Sequence, residues 1–130
     1  AHAITQWSAI DEAHLARGDA VARIVEERGP GGRVLAAIDI AAPTSVVWAV
    51  MLDCERAPLY VPGLQSCAVI ERSADGLSDV REHRIRWIAL LPSLRLRFRT
   101  DYEPERTIRV RRISGDLAAM QGLWALEPRE

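Results

Sequence analysis

The stretch RVLAAIDIAAPTSVVWAVMLDCERAPLYVPG, residues 33–63, joins a strand pattern, a helix pattern and a rigid loop, and it decides the fold. Residues 33–41 are apolar at nearly every position, which is typical of a strand covered on both faces. At the other end of the stretch, Pro58 and Pro62 bracket Tyr60, and proline excludes long regular structure there. The sequence therefore predicts a strand, a helix and an aromatic loop in this order.

The middle of this stretch predicts a short, buried helix. Pro43 cannot donate to a sheet ladder, and the hydroxyl of Thr44 or Ser45 is expected to cap the first free N–H groups of the helix. Residues 45–54 are apolar around most of the helix circumference. A helix of that composition is expected to be buried.

The rest of the chain is dominated by strand patterns. Six further segments are typical of strands: residues 20–27, 66–73, 78–89, 94–102, 107–114 and 120–126. Turn-forming residues separate consecutive segments, which predicts antiparallel hairpins, and the adjacent Arg111 and Arg112 indicate a bulge. About seven strands, interrupted once by the helical unit after the second strand, indicate an α+β fold.

Length and charge set the broad class of the protein. At 130 residues the chain predicts one main domain, residues 18–130, preceded by an arm or short helix, residues 1–17. The net charge of −1 gives no general reason to expect nucleic acid as a partner. No window has the apolar length of a membrane span, so we expect a soluble, cytoplasmic protein. Ala1-His2-Ala3 resembles the pattern before a signal-peptidase cut, which leaves an exported origin open.

The sequence predicts neither a metal site nor a cofactor. Cys54 and Cys67 fit no zinc pattern and no redox pair, and we expect two free thiols. The chain also contains no nucleophile elbow and no glycine-rich phosphate loop. We therefore expect no cofactor and no metal ion.

Two motifs stand in a characteristic order. The first is IDIAAPTSVVWAVMLD at residues 38–53, followed by Tyr60-x-Pro62, and the second is GDLAAMQGLWALEP at residues 115–128. Together they resemble the START-like (SRPBCC) superfamily of polyketide cyclase/dehydrase-type and coenzyme Q-binding proteins, over about residues 18–130. This resemblance implies a helix-grip fold, in which helices cover a curved antiparallel sheet. It also implies a long C-terminal helix, which is missing from this sequence; a neighbouring chain that supplied it would make a dimer, and the oligomeric state stays open.

The resemblance implies a cavity between sheet and helices for a small hydrophobic, lipid-like molecule such as a quinone or an isoprenoid. The side chains expected to line it are Tyr60, Trp87, Leu96, Phe98, Thr100, Tyr102, Met120 and Trp124. The hydroxyl groups among them would orient a mostly apolar ligand. A closely packed core is the alternative, because aromatic side chains at strand spacing are often simply core.

A polyketide cyclase/dehydrase-type enzyme is the second function class. Such an enzyme needs a general acid and a general base that reach the cavity. The candidates are His2, His14, His83, Asp39, Asp53, Glu82 and Asp116. Only one of Glu82 and His83 can face inward, and His83 is expected to be a solvated strand histidine. No catalytic residue is assigned, and the sequence favours binding without catalysis.

An interaction module with an arginine-rich convex face is the third function class. Seven arginines are predicted on the outward side of three consecutive strands: Arg84, Arg86, Arg95, Arg97, Arg99, Arg109 and Arg111. Such a face would meet RNA, a ribosome or, transiently, an anionic membrane. A solvated face with acidic cross-strand partners is the alternative. No aromatic residue alternates with these arginines, so nucleic acid is not the favoured partner.

Overall fold

The computed structural model describes residues 7–25, 32–86, 88–117 and 119–128. The chain divides into two compact units, residues 1–42 and residues 43–130, and each is described by itself. The predicted division into an arm, residues 1–17, and a domain, residues 18–130, stays a prediction. The α+β class and the seven antiparallel strands are confirmed, and their hydrogen bonds form a two-stranded sheet and a five-stranded sheet.

The described residues of the first unit form one helix and one hairpin. Helix α1 (Ala9–Ala16) begins after Ser8, whose hydroxyl accepts the N–H of Asp11 at 3.1 Å. Strands β1 (Val21–Val25) and β2 (Arg33–Ala37) pair antiparallel, as the sequence predicts, and most of the turn between them lies outside the described residues. Helix α1 contacts β1.

The expectation that residues 33–41 form one long, doubly covered strand is wrong. Strand β2 ends at Ala37. The apolar side chains of Val34, Ile38 and Ile40 are 65%, 53% and 54% exposed. Among the described residues, strand β2 pairs with β1 alone, and a two-stranded hairpin by itself offers no second layer to bury these side chains.

The second unit opens with two short helices. Helices α2 (Thr44–Leu52) and α3 (Ala57–Tyr60) occupy the predicted helix and the predicted rigid loop. The predicted side-chain cap is wrong, because Pro43 takes the capping position and has no side-chain acceptor for the free N–H groups. Thr44 is already the first helical residue, and its hydroxyl donates to the carboxylate of Glu105 at 3.4 Å.

The expectation of a buried α2 is also wrong. Trp48 is buried, whereas Val46 and Val50 are 52% and 50% exposed. Apolar side chains that surround a helix cannot all face one sheet, since a helix presents only one side to it. Although α2 is apolar after Ser45, no helix in the described part of the chain has the length and apolar character for crossing a membrane.

A five-stranded sheet forms the body of the second unit. Its strands are β3 (Leu64–Arg72), β4 (Ser78–Ile85), β5 (Leu94–Glu103), β6 (Thr107–Gly115) and β7 (Gln121–Ala125). They pair in sequence order, each antiparallel to the next, as the alternating patterns predict. Gly115 ends β6 with a φ of 127°, and a side chain there would collide with the backbone of Arg95.

Two details of this sheet differ from the prediction. Strand β4 ends at Ile85 and does not continue to residue 89, and Trp87 lies outside the described residues. The bulge predicted at Arg111 and Arg112 lies at the next residue, Ile113, which has no partner on β5. The extra residue reverses the alternation at the end of β6.

Cys54 and Cys67 form a disulfide, so the expectation of two free thiols is wrong. Their Cα atoms lie 5.3 Å apart, within the usual range for a disulfide. Cys54 follows the end of α2, and Cys67 lies in the edge strand β3. The bond therefore ties the C-terminal end of the helix to the edge of the sheet.

Replacing both Cys54 and Cys67 by Ser is expected to lower the free energy of unfolding by about 3 kcal/mol, because the disulfide restricts the unfolded chain. Urea denaturation followed by Trp fluorescence measures the loss. Reduction of the wild-type protein by a dithiol is the control, since it should lower stability equally and leave the double variant unchanged. Two reactive thiols in the unreduced, denatured protein would contradict the disulfide.

Candidate functional site

One face of the five-stranded sheet, the inner face, contacts α2 and is defined by the strand register. The ring of Tyr102 in β5 meets the ring of Trp48 in α2, with ring centres 6.0 Å apart. Side chains alternate along a strand, so every second residue shares the face of Tyr102. The register places these residues on it as well: Asp79, Arg81, His83, Leu96, Phe98, Thr100, Ile108, Val110, Arg112, Gly122 and Trp124.

Three polar side chains on the inner face form a hydrogen-bonded trio: Asp79, Arg81 and Tyr102. Arg81 Nε lies 3.3 Å from both carboxylate oxygens of Asp79, and the Tyr102 hydroxyl donates to Asp79 Oδ2 at 2.6 Å. Arg81 also donates to the main-chain carbonyl of Leu52, at the end of α2, at 3.0 Å. Asp79 and Arg81 are only 5% and 8% exposed, so each charge depends on these protein partners. The trio connects β4, β5 and α2.

Thr100 lies on β5 directly opposite Asp79 of this trio, and its hydroxyl is buried without a hydrogen-bond partner among the described residues. The residue is 3% exposed, and Oγ1 makes no hydrogen bond to any described residue. Its cross-strand neighbours are Asp79 on β4 and Val110 on β6. A buried hydroxyl without a partner is costly, which marks this position as favourable for a polar group of a ligand.

His83 faces inward, so the expectation of a solvated strand histidine is wrong. Its ring meets the ring of Phe98 edge-on, with ring centres 4.6 Å apart. Burial, together with the positive charge of Arg81, lowers the pKa of His83 to about 4. The imidazole is therefore neutral near neutral pH.

The inner face is open at β6 and β7. Trp124 is 62% exposed, and a Cβ added at Gly122 would meet no atom of the described residues within 4 Å. Gly122, Val110 and Thr100 lie in one row across neighbouring strands. Adjacent strands are about 4.8 Å apart, so Gly122 lies about 10 Å from Thr100 along this row. Open apolar surface and an unpartnered hydroxyl are thus close neighbours.

The structure places five of the predicted ligand residues on the inner face: Leu96, Phe98, Thr100, Tyr102 and Trp124. Met120 is half-buried just before β7, and its carbonyl accepts the N–H of Arg112 at 2.9 Å. Tyr60 lies elsewhere, in α3, and lines a surface concavity of about 500 Å³. Trp87 lies outside the described residues. The binding role of the whole set stays a prediction.

The predicted acid and base candidates do not converge on the inner face. Asp53 accepts the N–H of Arg56 at 3.3 Å, and Asp116 accepts that of Arg95 at 2.7 Å, so both have structural roles in turns. His14 and Asp39 belong to the first unit, and His2 lies outside the described residues. Among the described residues, no group of three His, Cys, Asp or Glu side chains is placed to hold a metal ion.

The opposite, outer face carries most of the predicted arginines. The register places Arg84, Arg95, Arg97, Arg99, Arg109 and Arg111 on it. Arg84 lies directly opposite Arg95, and Arg99 lies directly opposite Arg111. Like charges in such cross-strand pairs repel each other. The remaining arginine, Arg86, follows the end of β4 and is not part of this row.

Carboxylates neutralise part of the outer face. Glu82 lies on this face and approaches Arg97 at 2.8 Å and Arg95 at 3.7 Å. The hydrogen bond from Arg97 lowers the pKa of Glu82 below its ordinary value. Arg99 pairs with Asp101 at 3.2 Å. These contacts are the acidic cross-strand and same-strand partners of a solvated sheet face.

Sequence reasoning alone misses Asp79 and Arg81. A signal for both exists, because every second residue counted back from the apolar Ile85 leads through His83 to this pair. The signal is weak, since β4 carries charged residues on both faces and buried charges on an apolar face are uncommon. Only the pairing with β5 identifies which side of β4 faces inward.

The match to a known protein family covers the whole second unit. Residues 40–130 match the family described as "Polyketide cyclase / dehydrase and lipid transport". The chain belongs to this family. The match spans α2 to β7, which confirms the START-like resemblance, and the observed strands and helices are consistent with the helix-grip fold of the polyketide cyclase/dehydrase family. No curated protein and no solved structure matches the chain.

In this polyketide cyclase/dehydrase family member, Tyr102→Phe is expected to lower the free energy of unfolding by about 1.5–3 kcal/mol. The substitution removes the hydrogen bond to the buried carboxylate of Asp79. Burial, together with that hydrogen bond, also raises the pKa of Tyr102, which keeps the hydroxyl protonated as a donor. Urea denaturation measures the loss. Tyr60→Phe is the matched control, because Tyr60 is 51% exposed; equal losses in both variants would contradict the role of the trio.

His83 predicts a pH dependence of stability for this family member. Its pKa of about 4 in the folded chain lies below the ordinary value of 6.5, so the unfolded chain binds the proton first as the pH falls. The stabilising contribution is complete above pH 6.5 and is lost progressively between pH 6.5 and pH 4.

Thermal denaturation across this range measures the effect. His83→Gln should flatten the profile relative to the wild-type protein. The same carboxylates titrate in both proteins, so the difference between the two profiles reports on His83. Identical profiles for the wild-type and His83→Gln proteins would refute the prediction.

Proposed function

We propose that the inner face binds a small hydrophobic, lipid-like molecule and that α2 covers it. The observation that carries this proposal is the buried hydroxyl of Thr100, which has no hydrogen-bond partner among the described residues. An unpaired buried hydroxyl destabilises the fold, and a ligand oxygen at this position would remove that cost. The family description, which includes lipid transport, supports the same class of ligand.

The surroundings of Thr100 favour a ligand that is apolar over most of its length. The open space at Gly122 and the exposed ring of Trp124 offer an apolar surface on the same face, two strands away from the hydroxyl. A threonine hydroxyl both donates and accepts, so it suits either a carbonyl or a hydroxyl on the ligand. Quinones and isoprenoid alcohols combine such a polar head with an apolar tail, and coenzyme Q is a quinone of this kind.

Ligand entry depends on α2, because Oγ1 of Thr100 is covered in the structure. The helix contacts the inner face through the ring of Trp48 and through the carbonyl of Leu52, which accepts from Arg81. Since Val46 and Val50 are already half exposed, the apolar surface that moving α2 away from the sheet would newly expose is mainly that of the buried Trp48. The free-energy cost of opening the cover is therefore set mainly by Trp48.

Two alternatives from the sequence stay predictions. A cyclase/dehydrase-type enzyme would use His83, the one histidine that the structure places on the inner face of the second unit. An RNA- or ribosome-binding module would use the arginines of the outer face. Ligand binding is preferred because Thr100 lacks a partner, whereas His83 and several of the arginines already have contacts within the fold.

Native mass spectrometry of the protein from its own host, followed by organic extraction, tests whether a ligand is present. A stoichiometric apolar adduct that carries a carbonyl or hydroxyl group would support the proposal and identify the substrate class. A protein that is isolated empty and that also fails to bind a short-chain isoprenoid benzoquinone or a fatty acid would refute it.

Thr100→Val is expected to weaken binding of the short-chain quinone by about tenfold, because it removes the hydrogen bond to the ligand. The stability of the empty protein should stay unchanged or rise, since valine has nearly the same shape and no unpaired hydroxyl. Quenching of Trp fluorescence measures the affinity, and urea denaturation measures the stability.

Thr107→Val is the matched control for this experiment. Thr107 lies on β6 two residues before Arg109, so its side chain is on the same outer face. Its substitution should therefore leave quinone affinity unchanged. Equal affinity of the wild-type and Thr100→Val proteins would show that the buried hydroxyl has no part in binding.

A further inference from the structure

Two loops leave the five-stranded sheet at the same end. The first loop, residues 57–63, contains α3 and leads into β3, and the second, described at residue 86 and at residues 88–93, lies between β4 and β5. Leu64 at the start of β3 pairs with Ile85 at the end of β4, so both loops lie at the same end of the sheet. The topology therefore brings the two loops together.

These loops form an apolar end, defined by the exposed side chains of Leu59, Tyr60, Val61, Ile88, Leu90 and Leu91. Leu90 is 95% exposed and Leu59 is 79% exposed. The loops also contact each other, since the N–H of Arg86 donates to the carbonyl of Gly63 at 2.7 Å. Several large apolar side chains exposed together, on loops that are in contact, mark an interaction surface.

Arginines flank the apolar end. Arg84 and Arg95 are opposed near the ends of β4 and β5, and Arg86 lines the concavity of about 500 Å³ together with the first loop. Glu82 partly neutralises Arg95, at 3.7 Å. Arg84 attracts the carboxylate of Glu82 without a close ion pair, and Arg86 lines the concavity. An anionic partner would relieve the repulsion between the opposed arginines.

We propose that the apolar end docks onto an anionic lipid bilayer. The leucines of the two loops insert at the boundary between headgroups and acyl chains, and the flanking arginines contact lipid phosphates. A bilayer fits better than a folded protein, because Leu90 projects from its loop almost fully exposed and offers no preformed complementary surface. Docking of this kind does not depend on a ligand at the inner face, so the two proposals succeed or fail separately.

Flotation with lipid vesicles tests the proposal. The wild-type protein should float with vesicles of phosphatidylcholine that contain about one-third phosphatidylglycerol, and much less with phosphatidylcholine alone, and added salt should weaken the binding. Leu90→Ser should lower the partition coefficient about tenfold, through loss of the buried leucine. Arg86→Gln should lower it about fivefold, which corresponds to the loss of one arginine near the membrane surface.

Matched controls come from the opposite end of the sheet. Leu77, in the turn between β3 and β4, is 45% exposed, and Arg106 lies in the turn between β5 and β6. Leu77→Ser and Arg106→Gln should bind the anionic vesicles as the wild-type protein does. Circular dichroism of each variant confirms that it is folded before its binding is compared.

Three outcomes would overturn the proposal. The first is no flotation of the folded wild-type protein with anionic vesicles. The second is an equal effect of the substitutions at Leu90 and Leu77. The third is a protein that does not bind vesicles but has another partner. It would either form a dimer that Leu90→Ser converts to a monomer, or bind RNA in a salt-sensitive way that Arg86→Gln abolishes. These results would assign the apolar end to a second copy of the chain or to RNA.

Discussion

A carboxylate that is buried under a helix requires a positive charge and hydrogen bonds, and Asp79 obtains them from Arg81 and Tyr102. This requirement also constrains the two strands and the helix that these residues connect. The bond between Asp79 and Tyr102 joins β4 to β5 from the inner face, in addition to the main-chain ladder. The bond from Arg81 gives the carbonyl of Leu52, at the end of α2, a second donor beside the N–H of Cys54. These polar contacts hold α2 on the sheet together with the packing of Trp48 on Tyr102 and the disulfide.

The strands were predictable wherever one face of the sheet is polar and the other apolar. In β5, Leu96 and Phe98 alternate with Arg95, Arg97 and Arg99, and the structure confirms this division. In β4 the same reasoning fails, because charged residues lie on both faces and only the pairing with β5 distinguishes them. The polar trio therefore depends on a strand register that the sequence of β4 alone does not reveal.

The candidate site was predictable in part. Thr100 and Tyr102 follow from the alternation of β5, whereas the absence of a partner for Thr100 is a property of the three-dimensional surroundings. The apolar content of α2 predicts a helix correctly but does not predict how much of it a neighbouring layer covers. The pairing of Cys54 with Cys67 depends on the path of the chain through α3, which sequence spacing does not reveal.

The disulfide also determines how α2 can move. Because Cys54 follows the C-terminal end of the helix and is bonded to β3, that end cannot separate from the sheet while the bond is intact. At the other end, Pro43 offers no side-chain cap, and Thr44 has only a long hydrogen bond to Glu105, at 3.4 Å. Any opening of α2 is therefore a rotation about a fixed covalent pivot, in which the first turn of the helix travels furthest and Leu52 hardly moves.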